Sequence, residues 1–328
     1  MKLNNNLRER LIEKAATYFS DVYNKCQENV GAGKVSEKEI IIKMHEEFET
    51  LSNAWKTETN NRVFMTSFFT HLQPQVVEVI QDSAGPKDAK KGCEIGDILV
   101  IHVEMDQSGF PSSNSLLYQV KVTDTSYKDF EIQEKLYTEW PLFRFKNPYS
   151  EETYNVVDEP GAHEGARFLE IHNEIKDVDY PSKNRYRVNL PNGSIEESSF
   201  IEQIVDIIQF KEGRKIITDT TTPALPIDQS WTETVHKVID YAHAKKYAGR
   251  LERSIGAKVS PKGTMLLLEK FRCCPKYSIF SLKNSDNNYP ITFHNNLNEN
   301  GFNNGMLVIL IFSSNSEIAF VDHSMQKS

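Results

Sequence analysis

With 328 residues the chain is long for one compact domain and short for three, so its length favours two units, or one domain with a large appendage. Hydrophobic residues make up 39% and charged residues 26%, with 13 Pro and 15 Gly, a balance that can bury a core and excludes collagen-like and broadly disordered classes. The 38 Lys+Arg against 46 Asp+Glu give a net charge of -8, which argues against a protein that coats nucleic acid over its whole surface.

In chain order, apolar residues Leu11, Ala15, Phe19 and Val22 recur at helical spacing and predict a leading helix over Arg8 to Tyr23. Ser36-Glu37-Lys38-Glu39 has the form of a capping box, and Ile41, Met44, Phe48, Leu51 and Trp55 continue it as one helix. A short helix is expected from Arg62 to His71. The period then changes: Gln75 to Gln81, Asp97 to Glu104 and Ser115 to Thr123 are short, rich in branched residues and bounded by turn formers, and read as three successive strands. Asp129 to Trp140 is again helical, and Ala166 to His172 is a fourth strand. Further on, Tyr180 to Ser194 reads as a loop or hairpin, Ser199 to Phe210 as an amphipathic helix, Thr218 to Asp228 as a linker and Trp231 to Ser254 as a long helix. Tyr277 to Leu282 and Met306 to Ser313 are late strands on either side of an Asn-rich loop.

The longest apolar run, Met306 to Phe312, is too short to span a bilayer, and the opening MKLNNNLRERLIEK carries charge where a signal peptide needs an apolar stretch. A cytoplasmic protein with no membrane partner is the expectation. Cys26, Cys93, Cys273 and Cys274 are neither dense nor paired as C-x-x-C, so neither a disulfide frame nor a zinc knuckle is expected. Charge is uneven along the chain. Glu151 to Ser182 holds nine acids against Arg167 and Lys176, whereas Tyr241 to Lys276 holds nine bases against Glu252 and Glu269. Within that basic segment, Lys246, Arg250 and Arg253 follow at steps of four and three, so on a helix they share one side and form a candidate phosphate-binding surface.

Walker A, G-x-G-x-x-G, G-x-S-x-G and H-E-x-x-H patterns are all missing from the sequence. What remains is a polar cluster on the strand run. Asp97 opens the second strand directly after Gly96. Gln119 and Lys121 sit two apart on the third and share a face, which a hairpin brings near Asp97. A carboxylate, a carbonyl oxygen and an ammonium then converge, a set that suits Mg²⁺ and a water to be activated. On the following helix Gln133 and Tyr137 are four apart and share a side.

Asp97, Gln119-Val120-Lys121 and Gln133-x-x-x-Tyr137, in the order helix, three strands, helix, strand, resemble the PD-(D/E)xK nuclease superfamily and its RecB-like branch in particular. The resemblance covers about residues 36 to 172. It implies an α/β, restriction-endonuclease-like core over 36–172; the element pattern puts a helical segment (1–35) before it and a mixed α+β C-terminal unit (173–328) after it, which would bind DNA or a partner through the basic cluster. It implies a Mg²⁺- or Mn²⁺-dependent nuclease hydrolysing phosphodiester bonds of nucleic acid, DNA in preference to RNA, with a role in restriction or anti-phage defence by analogy. Asp97 and Gln119 would ligate the metal, Lys121 would orient the water and offset charge, and Gln133 and Tyr137 would position the backbone or brace the site. A glutamate of the first core helix often joins such sites; Glu46, Glu47 and Glu49 are the candidates, with Glu47 the first choice. His71 precedes the first strand, where it would lie near the phosphate or, as a lone histidine more often does, serve the structure alone. The sequence departs from the family pattern at Gly96, where a proline is usual, and at Gln119, where a carboxylate is usual, and Glu94 compensates only if a turn or bulge returns it to the site. The alternative is a catalytically silent nuclease-fold subunit, a structural or regulatory partner in a larger complex, which Gln119 and the net charge favour and Lys121, Gln133 and Tyr137 oppose.

Overall fold

The computed structural model describes residues 1–31, 33–70, 73–105, 112–123, 130–147, 150–156, 165–173, 185–191, 194–216, 226–243 and 305–315. Asn4 caps the first helix by accepting the Leu7 N–H at 2.8 Å, and α1 (Asn5–Val30) then buries Leu7, Leu11, Ala15, Phe19, Val22 and Cys26 along one side. The Ser36/Glu39 capping box makes both of its reciprocal bonds and opens α2 (Glu37–Glu46). The single helix expected from Ser36 to Trp55 is interrupted at Glu47, which sits at φ -95°, ψ 2°, and α3 (Phe48–Glu58) begins anew. With that break, Phe48, Leu51 and Trp55 enter the same core as Ile40 and Met44.

The remaining elements are β1 (Val63–Phe69), β2 (Gln75–Asp82), β3 (Gly85–Glu94), β4 (Ile98–Met105), β5 (Ser112–Val122), α4 (Phe130–Glu139), β6 (Phe143–Asn147), β7 (Ala166–Ile171) and β8 (Tyr186–Asn189). After them come α5 (Phe200–Asp206) with a 3-10 turn, β9 (Arg214–Ile216), α6 (Pro226–His243) and β10 (Leu307–Ser314). The fold is mixed α/β. Among the described residues one mixed sheet runs β1-β10-β4-β5-β7-β8, with β9 also on β5, and a second runs β3-β2-β6. β4 and β5 pair antiparallel from Ile98↔Tyr118 to Glu104↔Ser112. β7 is parallel to β5, with α4 in the connection between them.

Strand alternation divides the main sheet into two apolar faces. Ile98, Val100, Tyr118, Val120, Ile309 and Ile311 pack beneath α1, α2, α3 and α5. On the opposite face Leu99, Ile101, Leu117, Val308 and Leu310 pack against Leu136 and Tyr137 of α4, Trp231 and Val235 of α6, and Val76, Cys93 and Phe145 of the small sheet.

Several expectations need correction. Val63 to Phe69 is a strand and not a helix: all seven residues are buried, so β1 shows no alternation that separates it from a short buried helix. The expected first strand, Gln75 to Gln81, forms but belongs to the small sheet, and the neighbour of β4 is β10, parallel to it and antiparallel to β1. β3 and β6 have no counterpart in the sequence reading, because GPKDAKKGCE is charged and mostly exposed and FRFKN is short. Hydrogen bonding of the sheet continues past residue 172: β8, β9 and β10 pair with β7, β5 and β4. The strand expected at Tyr277 to Leu282 and the Asn-rich loop after it lie outside the described residues.

At the far end of the β4–β5 hairpin, three buried polar side chains satisfy one another across three strands. His102 Nδ1 lies 2.9 Å from Asn114 Oδ1 and Nε2 lies 2.8 Å from Ser313 Oγ, while the Asn114 amide donates to Ile207 O at 3.2 Å and Glu212 O at 2.5 Å. Burial pushes the His102 pKa down to about 3, so the ring is neutral near neutral pH.

Because Ile311 is fully buried on β10, between β1 and β4, Ile311→Ala should cost about 2–5 kcal/mol in urea denaturation. Ile195→Ala, at 66% exposure, should stay within about 0.5 kcal/mol. Equal effects of the two would contradict the position of β10 between β1 and β4.

Candidate functional site

The bend Ile95-Gly96-Asp97 links β3 of the small sheet to β4 of the large one, and its hydrogen bonds fix Asp97. The Asp97 N–H donates to Tyr118 O at 2.8 Å and Asp97 O accepts from Leu307 N at 2.9 Å, tying the residue to β5 and β10. Tyr137 donates its hydroxyl to Ile95 O at 2.7 Å from α4. A Cβ on Gly96 would lie 2.7 Å from Leu117 Cδ1 and 2.9 Å from the Tyr137 hydroxyl, so a larger residue here would have to displace both side chains. Sequence spacing placed Tyr137 beside the site; its role as a brace under the bend follows from these contacts.

Three donors reach the Asp97 carboxyl group. Val120 N–H donates to Oδ2 at 2.8 Å, the Gln119 amide donates to the same oxygen, and Gln73 Nε2 reaches Oδ1 at 3.2 Å while also donating to Gly96 O at 2.6 Å. Even so, the pKa is pushed up to about 7. Burial of the group is the main cause and the charge of Glu94 the next, against which Lys121 and the Val120 N–H pull downward; Glu37 adds to the rise.

Glu94 therefore does return to the site through the bend. Its own pKa is raised by burial, with Lys121 opposing and Glu37 reinforcing. Glu37, in the first turn of α2, accepts from Val122 N at 3.4 Å and lies 4.0 Å from Lys121 Nζ. Its pKa too is raised by burial and lowered in part by Lys121 and the Val122 N–H. Lys121 is buried at 7% exposure among these three acids. Gln119 and Gln133 are buried at 1% and 6%, and the Oε1 atom of each has no hydrogen-bond partner, a costly arrangement unless something else supplies one.

Asp97, Gln119, Lys121, Tyr137 and Glu94 thus gather at one end of the β4–β5 hairpin, with Gln133 one turn before Tyr137 on α4. Glu47 does not join them: it caps the break between α2 and α3 and pairs with Lys25 at 2.8 Å. Glu46 pairs with Lys43, and Glu49 is exposed on α3. Glu37 and Gln73 are the members that sequence reasoning missed. An acid in the first turn of a capped helix is ordinary helix chemistry, and a glutamine in a connection carries no pattern, so neither had a signal. His71, Lys246, Arg250 and Arg253 lie outside the described residues.

Among the described residues no group of three or more His, Cys, Asp or Glu side chains is arranged to hold a metal ion. The donor chemistry nevertheless suits Mg²⁺, which retains several waters and is commonly held by one or two carboxylates together with substrate phosphate. Three carboxyl groups around one ammonium, with two orphaned amide oxygens, leave the site short of positive charge and of donors. Compared with known proteins, the chain matches no family model, no curated protein and no solved structure.

The raised pKa has a consequence for stability. Asp97 ionises at about 7 when folded and at about 3.9 when unfolded, so its contribution is fully present below about pH 4 and is lost as pH rises through 7. The loss is at most about 4 kcal/mol, and less because Asp97 keeps some solvent contact. Asp97→Asn should flatten the fall in stability between pH 5 and pH 8 measured by urea denaturation, leaving the smaller, same-signed share of Glu94 and Glu37. Parallel profiles for the two proteins would show that Asp97 is not the group titrating.

Proposed function

We propose that the protein is a metal-dependent nuclease with a restriction-endonuclease-like core, hydrolysing phosphodiester bonds of nucleic acid, DNA in preference to RNA. The observation that carries this reading is the convergence of Asp97, Gln119, Lys121 and Glu94 at one end of an antiparallel hairpin, braced by Tyr137 from the helix that leads on to the next parallel strand. One departure from the expected core is the insertion of β10 beside β4.

Asp97, Gln119 through Oε1, and Glu94 are the residues that would hold Mg²⁺ or Mn²⁺. A divalent cation, when bound, supplies Lewis-acid polarisation of the phosphate and activation of water. The chain supplies the rest. Lys121 Nζ, set between Glu37 and Glu94, donates to the attacking water and to a non-bridging oxygen, offsetting the negative charge that grows in the pentavalent transition state. Glu37 orients that ammonium, and Gln73 and Val120 hold the Asp97 carboxyl group in one rotamer.

Cleavage of labelled DNA should require Mg²⁺ or Mn²⁺ and cease on chelation. Lys121→Ala should lower the rate on the order of 10²-fold or more without loss of fold, and a normal rate would end the assignment. Because the ion needs ionised Asp97, Mn²⁺ affinity should rise roughly tenfold between pH 6 and pH 8. Gln119→Glu should tighten Mg²⁺ binding, and unchanged affinity would mean that Gln119 does not touch the ion.

A second reading, a silent nuclease-fold subunit in a larger complex, is favoured by the Asp97–Gln119 bond, since the amide engages the oxygen a cation would take. Absence of cleavage on duplex and single-stranded substrates, with Asp97→Ala leaving partner binding intact, would select it.

A further inference from the structure

We infer that the bulged edge of β3 is a phosphate-contact surface that guides a nucleic-acid strand into the site, an inference that rests on the nuclease reading above. β2 and β3 pair with a shift in register: Val77 lies opposite Gly92 and Val79 opposite Asp88, so Ala89, Lys90 and Lys91 oppose the single residue Glu78. Gly92 closes this bulge, and a Cβ there would lie 2.3 Å from Val76 O, so no other residue fits without moving the backbone. The two extra residues are thus built into the strand. They present Lys90 and Lys91 to solvent on an edge strand.

Charge pairing on the small sheet makes these lysines a surplus. Glu78 pairs with Lys135 at 2.8 Å, Asp82 with Lys87, and Asp88 with Arg144 at 3.1 Å. Among the described residues Lys90 and Lys91 make no ion pair, nor does the exposed Lys146 on β6. Unpaired lysines and a bulge on an edge also deter strand addition; what a phosphate path adds is the placement of both lysines on the strand that enters the site. Lys91 and Lys90 lie three and four residues before Glu94 on the strand that runs directly into the Ile95–Asp97 bend, at most about 10–13 Å from Glu94 by strand rise. That span equals three to four nucleotides of duplex rise. Ammonium groups act as point charges without bidentate geometry, which suits sequence-independent contact with a phosphate backbone. In a protein of net charge -8 with an acidic site, such a local excess offsets the repulsion of the incoming polyanion.

The test compares the full-length wild-type chain with Lys90→Gln/Lys91→Gln and Lys90→Arg/Lys91→Arg, reading fluorescence anisotropy of a labelled DNA duplex in chelator over a salt series. Cleavage with Mg²⁺ is measured in parallel. The Gln pair should flatten the dependence of log affinity on log salt by about 0.9 per lost contact and raise KM while keeping kcat. The Arg pair should bind like wild type. An unchanged slope and KM in the Gln pair, with cleavage intact in all three proteins, would overturn the hairpin contact and leave the nuclease reading standing. A lack of both binding and cleavage by the wild type on duplex and single-stranded substrates would overturn the nuclease reading and this inference with it.

Discussion

One carboxyl group, largely withdrawn from solvent and crowded by like charge, sets the terms for the whole end of the sheet where β3, β4, β5, β10 and α4 meet. Asp97 is bonded through its backbone to β5 and β10 and through its side chain to Gln119, Val120 and Gln73. Each of those bonds fixes an element whose position depends on the others. At Gly96 a side chain would crowd Leu117 and Tyr137, and the Tyr137 hydroxyl ties α4 to the bend at Ile95. The geometry of the cluster is therefore a property of the junction and of no single element.

The two ends of the β4–β5 hairpin handle buried polarity in opposite ways. At the His102 end, a neutral ring, an amide and a hydroxyl satisfy one another, with the Asn114 amide also anchoring the turn after α5. Such a closed network specifies register and binds nothing further. At the Asp97 end the same sheet leaves two amide oxygens without partners and three acids around one lysine. The unpartnered amide oxygens cost folding free energy that a hydrogen-bonding group, if brought to that end, would recover.

Much of the centre of the fold was legible because it is local. β4, β5, α4 and β7 each carry their own periodicity, and Asp97, Gln119, Lys121 and Tyr137 lie within 41 residues of one another on consecutive elements. Other features were written in no local pattern. β1 is buried on both faces and so lost the period that marks a strand. β3 is exposed and charged, and its identity depends on pairing with β2. Glu37 enters the site from an ordinary capped helix turn, whereas Glu47, placed by family analogy, turns to Lys25 because the helix breaks there. The neighbour of β4 could not be read at all, since nothing in residues 98–105 points to residues 307–314.

That last pairing has a bearing on how the chain is made. About 200 residues separate Ile98 from its partner Leu307, and a ribosome needs roughly 10–40 s to add them. During that interval β1 and β4 cannot meet in their final places; a slot one strand wide, about 5 Å on each side, must stay open between them. The strand bordering that slot is VFMTSFF, uncharged and without proline or glycine, the composition that stacks into intermolecular sheets when exposed. The nascent protein thus carries this segment without its final partner until residues 307–314 have been made.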